Sequence, residues 1–466
     1  MLQNSSVKAD PTTIVVPDNY PTIQLAIDAA KEGDTIYFKK GYYEGPVNQT
    51  LEINKAMTLL GEDKDTTTLK LSPPYVKMNI FTYEYMGYLD AIKINSNNVR
   101  VSGLTIDAPG GGINGNGDHI QIVSIISTIG LSIEGAHITI SENKLKGDLG
   151  IVGNNNVIKN NRFEIGLVRP FVSCVGPNNI FSNNSLAIQD ETSNIKLEIK
   201  GNNNYITHNL LAAIHLYGDS NIIYKNSIKA LPGDCGIYLS QSFRNMICGN
   251  RISYAKSITY EQEGIFLSES GDNRVYANHI EGLFKGVNLE NTDTRPMVTN
   301  NNKFYLNNFI NNKIQAWDYT SSTTNNFDNG KEGNYWSDYG GKDLDNDGIG
   351  DTPFKPTYVY TYGELVEKVT KCNPDNFPLM TPFNIDNITV DLPEWVSLLL
   401  GSSPTPSFAA SPAPTLQPDS TPTPESNYHN SLLSDNTQVI IITIIVAVLA
   451  VVIVSLLLYN KRFKSK

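Results

Sequence analysis

One eight-residue phrase recurs eight times between residues 138 and 309, with an apolar residue at its third place, Asn at its sixth and another apolar residue at its eighth. The sixth-place asparagines are Asn143, Asn161, Asn184, Asn209, Asn226, Asn250, Asn278 and Asn307. Their spacing wanders between 17 and 29 residues while the phrase stays fixed, which describes one structural coil joined by loops of changing length. The flanking pairs are Ile140/Leu145, Ile158/Phe163, Phe181/Leu186, Ile206/Leu211, Ile223/Ile228, Ile247/Ile252, Val275/Ile280 and Phe304/Phe309, and each pair is expected to point inward on either side of a bend. Asn suits the bend because its short amide tolerates the left-handed conformation, and stacked copies one strand apart can bond as a ladder. A helical solenoid would need a 3.6-residue period, which is absent. The expectation is an all-β, single-chain right-handed parallel β-helix.

A weaker copy starts at Val99, with Val101 and Ile106 in the apolar places and Leu104 where Asn would stand, so coils begin before residue 100. At about 4.8 Å per rung the coils make a rod on the order of 40 to 60 Å long. The N-terminal segment reads as a strand at 13–16, a helix opening at Tyr20-Pro21-Thr22, and a strand at 35–38. The helix puts Ile23, Ala26, Ile27 and Ala30 on one face, which would plug the open end of the solenoid. Strand-like pieces follow at 51–53, 57–60 and 69–71.

A net charge of −11, with unclustered arginines, argues against a nucleic-acid surface. Cations and neutral glycans suit it better. The four cysteines, Cys174, Cys235, Cys248 and Cys372, form no CxxC pair; buried free thiols are the favoured reading, with room for one bridge. Residues 439–459 are apolar but for Thr443 and Ser455, long enough for a single transmembrane helix. The basic tail of Lys461, Arg462, Lys464 and Lys466 follows, so the body is expected outside the cell membrane and the C-terminus in the cytoplasm. The first residues lack a signal-peptide core, and a start upstream of this sequence would account for it. The rival is a tail-anchored protein with a cytoplasmic body. The expected divisions are a disordered 1–11, the capped β-helix 12–330, a C-terminal cap 331–395, a Pro/Ser/Thr-rich stalk 396–436, the membrane helix 437–460 and the tail 461–466. Sequons at Asn4, Asn48, Asn183 and Asn387 fit an outside location.

The opening Val16-Pro17-Asp18-Asn19-Tyr20-Pro21-Thr22-Ile23-Gln24, with Gly33-Asp34-Thr35-Ile36 and Gly41-Tyr42-Tyr43-Glu44, resembles the N-terminal cap of pectin-lyase-like β-helix proteins. The asparagine phrases resemble the PbH1 repeats of the NosD-like family of extracytoplasmic proteins. Gly333-Asn334-Tyr335-Trp336-Ser337-Asp338-Tyr339, Asp343 to Asp351 and Asn376-Phe377-Pro378-Leu379-Met380 resemble the close of the β-helix in surface proteins of that group. The likeness covers about residues 12 to 385 and implies a fold that hosts many functions. It also implies a link to copper-enzyme assembly, yet six His and seven Met occur here without an HxH, MxxM or CxxC grouping.

Asp343, Asp345, Asp347 and Asp351, with Gly348 after the third, form DxDxDGxxD. Alternating carboxylates can converge on one hard cation, so calcium is expected as a structural cofactor, with Ile349 offering its carbonyl; a solvated acidic turn is the bland alternative. Phe354 stands where an EF-hand would place its bidentate Glu. Residues 110–119 are expected to form a flexible loop between coils; the functional alternative is a ligand loop that carries Asp118 and His119 over a flank. Asp190, Asp219, Asp234, Glu261 and Glu263 could supply a carboxylate pair, and Tyr217, Tyr238, Tyr254 and Tyr260 a sugar-stacking flank, whereas His208 and His215 read as ordinary turn and strand positions. The motifs of polygalacturonases and pectin esterases are missing. The favoured function is a monomeric, non-catalytic cell-surface β-helix that binds extracellular polysaccharide or serves the envelope; the alternative is a polysaccharide lyase or glycoside hydrolase acting on acidic glycans.

Overall fold

The computed structural model describes residues 10–80, 83–164, 171–186, 195–254, 262–291, 299–320, 324–362, 365–369 and 372–401, side chains within 77–86 and 358–369 excepted. The stalk beyond residue 401, the apolar segment 439–459, the basic tail, Asn4, Asp190, Tyr260 and Glu261 lie outside these residues. Among the described residues no helix is long and apolar enough to cross a membrane.

The chain winds into a parallel β-helix of three sheets, of 13, 13 and 12 strands, each pairing with the coil before and after it. The first sheet runs from Thr13–Val16 to Lys303–Tyr305, the second from Gly41–Val47 to Tyr335–Trp336, and the third from Leu51–Ile53 to Ile314–Asp318. Parallel strands cannot be joined by tight hairpins, so every coil must close a circuit before its next strand pairs, and a rod is the result. The expected apolar pairs all point inward and are buried, from Ile140 and Leu145 to Phe304 and Phe309. The strand at Thr13–Val16, the helix Ile23–Ala29 and the strand Thr35–Phe38 form the N-terminal cap as expected. Thr22 accepts a hydrogen bond from Leu25 N at the start of that helix, and Ile23, Ala26 and Ile27 are buried over the first coils.

The first corner, between the first and second sheets, is five residues long at 62–66 and carries Leu104 and Ile125 in its next two copies, but from Thr139–Ser141 onward it is two residues long and its second residue is the ladder asparagine. These side chains are buried. Each Oδ1 accepts from the backbone N–H and the Nδ2 of the preceding member, as Asn226 does from Asn209 at 3.0 Å each. Each Nδ2 also donates to a carbonyl of the coil before, Asn226 to Ile206 at 2.9 Å. The ladder goes one member further than expected, to Asn334.

The left-handed residue at this corner is the one before the asparagine: Glu142, Asn160, Asn183, His208, Lys225, Ala277 and Leu306 have φ between 51° and 61°. This corrects the expectation that the ladder asparagine itself takes that conformation. A residue at positive φ turns its side chain outward, so the Asn that must reach the next coil follows it.

A second ladder holds the third corner, between the third and first sheets: Asn156, Asn179, Asn204, Asn221, Asn245, Asn273, Asn302 and Asn325, all buried. Its rungs include Asn221 Nδ2 to Asn245 Oδ1 and Asn273 Nδ2 to Asn302 Oδ1, at 3.0 and 2.9 Å. Gly at the first residue of the corners from Gly117 to Gly218 brings backbones into close approach: a Cβ on Gly153 (φ 137°) would sit 1.9 Å from Gly135 O.

Residues 110–119 are no flexible loop. Gly112–Asn116 is a strand of the third sheet, and Gly117, Asp118 and His119 form one of these tight corners.

At the far end Trp336 closes the rod, stacked on Phe309 at 4.4 Å, with Phe327 and Phe354 against it. Asp375 terminates the first ladder, its Oδ2 accepting from Asn334 N at 2.7 Å and Trp336 Nε1 at 2.8 Å.

Residues 383–401 then turn back along the outside of the first sheet. Asn308 exchanges two hydrogen bonds with the Phe383 backbone, Arg251 forks onto Asp386 at 2.9 Å, and the Tyr224 hydroxyl donates to Ile388 O at 2.9 Å. Ile388, Val390, Trp395, Val396 and Leu399 cover Tyr205, Tyr224 and Cys248. A helix, Glu394–Gly401, therefore occupies the start of the expected stalk, because Val396 gains an apolar surface to bury against.

Candidate functional site

The second corner, between the second and third sheets, has no ladder. It ranges from one residue, Ala212, to the nineteen of 73–91, which include the hairpin of Tyr75–Ile80 and Tyr83–Tyr88. An unconstrained corner beside a regular sheet is where a rod can vary its surface without disturbing its core, and the outer face of the third sheet next to it gathers the protein's partly buried ionic groups.

In that sheet an apolar-x-apolar triplet recurs in register: Leu197/Ile199, Ile214/Leu216, Ile237/Leu239, Ile265/Leu267 and Val287/Leu289 point inward. The middle residues therefore form one outward file, Glu198, His215, Tyr238, Phe266 and Asn288, continued by Trp317. Tyr238 lies 5.3 Å from the His215 ring, 5.2 Å from Phe266 and 6.2 Å from Tyr217. These rings are half-buried, so their faces and edges remain open to a ligand.

Beside this file sits a second of ionic groups. Asp234 meets the Lys196 ammonium at 2.8 Å and His215 Nε2 at 3.3 Å. Burial opposes ionisation of Asp234, but the His215, Lys196 and Cys235 N–H contacts outweigh it and hold the carboxyl below the usual range. Glu263 meets Lys285 at 2.9 Å and accepts from Asn288 Nδ2 at 2.9 Å. Cys235 pairs in register with Glu263 and stands between the two carboxylates; burial first and then their charges push its thiol far up, which makes it a poor nucleophile. Next to these pairs, the amide nitrogen and oxygen of Gln262 and the Oδ1 of Asn288 are buried without a hydrogen-bond partner. Buried amides left unpaired are costly, and a polar ligand that reached them would offset that cost.

Of the expected carboxylates, Asp234 and Glu263 thus come together. Asp219 does not, since it accepts from Phe243 N and pairs with Arg244 at the third corner. Tyr217 and Tyr238 share the outer face, whereas Tyr254 packs against the core. His208 is a corner residue bonded to Thr207, as expected, but His215 belongs to the ionic cluster. Lys196, Gln262, Lys285 and Asn288 were not anticipated, although the recurring apolar-x-apolar triplet carries the signal that phases them.

Asp118 Oδ1 accepts from Ala136 N at 2.8 Å, and His119 stacks on His137 at 5.0 Å, so both fasten a corner. The ligand atoms of Asp343, Asp345 and Asp347 lie within 4.8 Å of one another. Asp351 stands outside that trio with Oδ2 on Leu344 N at 2.7 Å, and Ile349 donates to Asp347 Oδ1.

The family model described as periplasmic copper-binding protein (NosD) matches residues 155–341. The chain is a NosD-like parallel β-helix. It is 33% identical over 96 residues to the probable ABC transporter binding protein NosD of Stutzerimonas stutzeri, and 29% identical over 129 residues to that of Pseudomonas aeruginosa. These stretches cover 21% and 26% of this chain, and only 20% and 28% of the relatives' own lengths. Among solved structures, a PL6 family alginate lyase AlyGC variant aligns with TM-score 0.48 and 15% identity over 83% of this chain and 59% of that one. The Dettilon tailspike protein aligns with TM-score 0.46 and 14% identity over 66% and 68%.

The described residues of this NosD-like chain do not fit copper. Soft-metal sites need convergent imidazole, thiolate or thioether donors. Here the His119 and His137 rings are stacked within 18° of parallel, which prevents their nitrogens from converging on one ion. Met246 Sδ is occupied by the Tyr276 hydroxyl at 3.2 Å, beside the apolar strap. Among the described residues the one group of three close acidic or imidazole ligands is all carboxylate, a donor set for a hard cation.

Proposed function

We propose that this NosD-like chain is an extracytoplasmic, non-catalytic carbohydrate-binding rod that presents the outer face of its third sheet to a glycan. The observation that carries this reading is the closeness of half-open aromatic rings to the Gln262 amide and the Asn288 Oδ1, buried without a hydrogen-bond partner. Rings stack on the apolar faces of sugars while amides and carboxylates take the hydroxyls, the usual division of labour in a polar ligand site. Segment 439–459 anchors the rod in the cell membrane with the body outside, and the Pro/Ser/Thr-rich stretch after residue 401 spaces it from the surface. The apolar ends of the rod are covered, by the helix Ile23–Ala29 at one and by Trp336 with Phe354 at the other, which supports a monomer. Calcium at Asp343, Asp345 and Asp347 holds the C-terminal cap, the three carboxylates otherwise repelling one another.

One observation favours a second reading, a lyase or hydrolase for acidic glycans: Asp234 and Glu263 flank the same thiol with Lys196 and Lys285 beside them. Against it, each carboxylate is already engaged by its own cation, Asp234 by Lys196 and Glu263 by Lys285. A glycan array with the full chain, followed by product analysis on every hit, separates the two. Binding without turnover supports the first reading; release of reducing ends or unsaturated products replaces it with the second; no binding to any glycan overturns both. Protease added to intact cells should release the rod, and full protection of the body would place it in the cytoplasm.

A further inference from the structure

The first sheet carries a feature that the aromatic face does not use. At the third corner, on the opposite side of the second asparagine ladder from the third sheet, a cavity of about 650 Å³ is lined by Arg244, Asp272, Arg274, Asn301, Lys303 and Asn326, among others. Met246, Arg274, Lys303 and Asn326 pair in register on successive coils, and the inward residues beside them, Ile247, Val275 and Phe304, fix them as an outward file. Arg274 and Lys303 are therefore one rung apart, about 4.8 Å along the rod. Both are exposed, and neither makes an ion pair among the described residues. Arg244, a coil earlier, already holds Asp219 at 2.8 Å. Two residues on from the cations, the outward Tyr276 and Tyr305 stack at 5.0 Å with their planes 2° apart.

Like charges held one rung apart repel, and in a chain of net charge −11 the acidic surroundings could have neutralised them. Leaving two adjacent cations open in a trough, over a floor of asparagines and beside a tyrosine wall, suits a ligand that brings its own anions at the same spacing. A sugar residue in an extended glycan advances by roughly one rung, so successive anionic sugars lying along the rod would each meet one cation. The Arg274 guanidinium can take a carboxylate or sulfate with two parallel N–H donors, and Lys303 acts as a point charge.

We propose that this trough is a binding site for anionic glycans, with Arg274 and Lys303 contacting the charged groups of two successive sugars. The ligand's being a glycan rests on the reading of the third sheet; the pair of unpaired cations does not. The charged group could be a carboxylate or a sulfate, and the experiment distinguishes them.

Titration calorimetry on the full chain would compare a galacturonate tetramer, a sulfated galactan tetramer and a neutral galactan tetramer. One or both charged tetramers bind, and the neutral one binds at least about tenfold more weakly. Raising the salt to about 0.5 M, where the screening length is about 4 Å, weakens the charged ligand and leaves the neutral one unchanged. Arg274→Ala and Lys303→Ala each weaken the charged ligand about tenfold. Because both side chains are exposed, their melting temperatures should stay at the parent value. Tyr238→Ala, on the third sheet, leaves this binding intact. Equal affinity for charged and neutral tetramers, no binding of either charged tetramer at millimolar concentration, or unchanged affinity in both variants would overturn the site. Loss in Tyr238→Ala with retention in both cation variants would move the charged ligand to the third sheet, sinking this proposal and sparing the other.

Discussion

The first and second corners of each coil are built on opposite terms. From residue 142 onward the first is two residues long, with a left-handed residue and then a buried asparagine whose amide is fully paired. The second ranges from one residue to nineteen and carries no ladder. Both join the same parallel sheets, so the difference lies in where backbone groups go: a tight buried corner strands carbonyls and N–H groups that only a neighbouring coil can satisfy, while an open corner leaves its groups to water. The rod is therefore regular where it must be and variable where it can be, and its ionic cluster lies beside the variable corner.

The sharpest way to break that contrast is to damage both corners equally. Asn226→Leu removes the acceptor for Asn209 and the donor to Ile206 O and Tyr224 O, and should cost about 3 kcal/mol or more in chemical denaturation. Inserting three Gly/Ser residues at 146–148, in the second corner, should cost under about 1 kcal/mol. Equal losses would show that the asparagines are not what holds the coils in register.

Where the ladder ends, calcium tests whether the cap needs more than hydrogen bonds. A cation that binds only the folded state adds about 2.7 kcal/mol at a hundredfold excess over its Kd. A chelator should lower the melting temperature of the parent and leave Asp345→Ala/Asp347→Ala unaffected. Absence of calcium binding at millimolar concentration in calorimetry would reduce the loop to an acidic turn.

Asp375, at the same end, gives a pH signature. Burial, outweighing its N–H donors, pushes its carboxyl up to about 6 from 3.8. Below about pH 4 both folded and unfolded states hold the proton. As pH rises toward 6 the unfolded state releases it first, so the folded rod loses stability across that window, by of order 2 to 3 kcal/mol. Relative to Asp375→Asn, the parent should therefore gain melting temperature as pH falls from about 6.5 to about 4. A parallel pH profile in the two proteins would show that this carboxyl ionises in the rod as it does in water.

The smallest expected effect sharpens the variable side. Tyr238→Ala should weaken a glycan found on the array by about 1 kcal/mol, read by calorimetry, with Lys200→Ala, at a more exposed place on that face, changing it less. If the two variants weaken binding alike, the aromatic file is not the contact surface.

Much of the rod was legible without a structure. The period-two phrase with its sixth-place asparagines gave coil, inward pairs and ladder, because burial and amide pairing repeat at every rung and leave the same residues each time. The capping helix was legible for a similar reason, as Thr22 and the face of Ile23, Ala26 and Ile27 are set within one short stretch. The second ladder was legible too, since Asn stands at the first place of seven of the eight phrases, from Asn156 to Asn302, but its partner lies across a corner that period two does not describe.

What only the tertiary structure decided is which residues from different coils meet. Lys196 and Asp234 are 38 residues apart, and the corners between them differ in length, so no fixed spacing links them. The return of residues 383–401 along the first sheet was equally hidden. Ile388 and Val390 read as part of the C-terminal cap and Val396 as the start of the stalk until the outward face of Tyr205, Tyr224 and Cys248 offers them an apolar surface. Local pattern fixes how each coil bends, because its backbone groups and apolar side chains are satisfied within one rung of their neighbours. Contacts between distant segments depend on the accumulated length of every corner between them, and only the folded rod adds those lengths together.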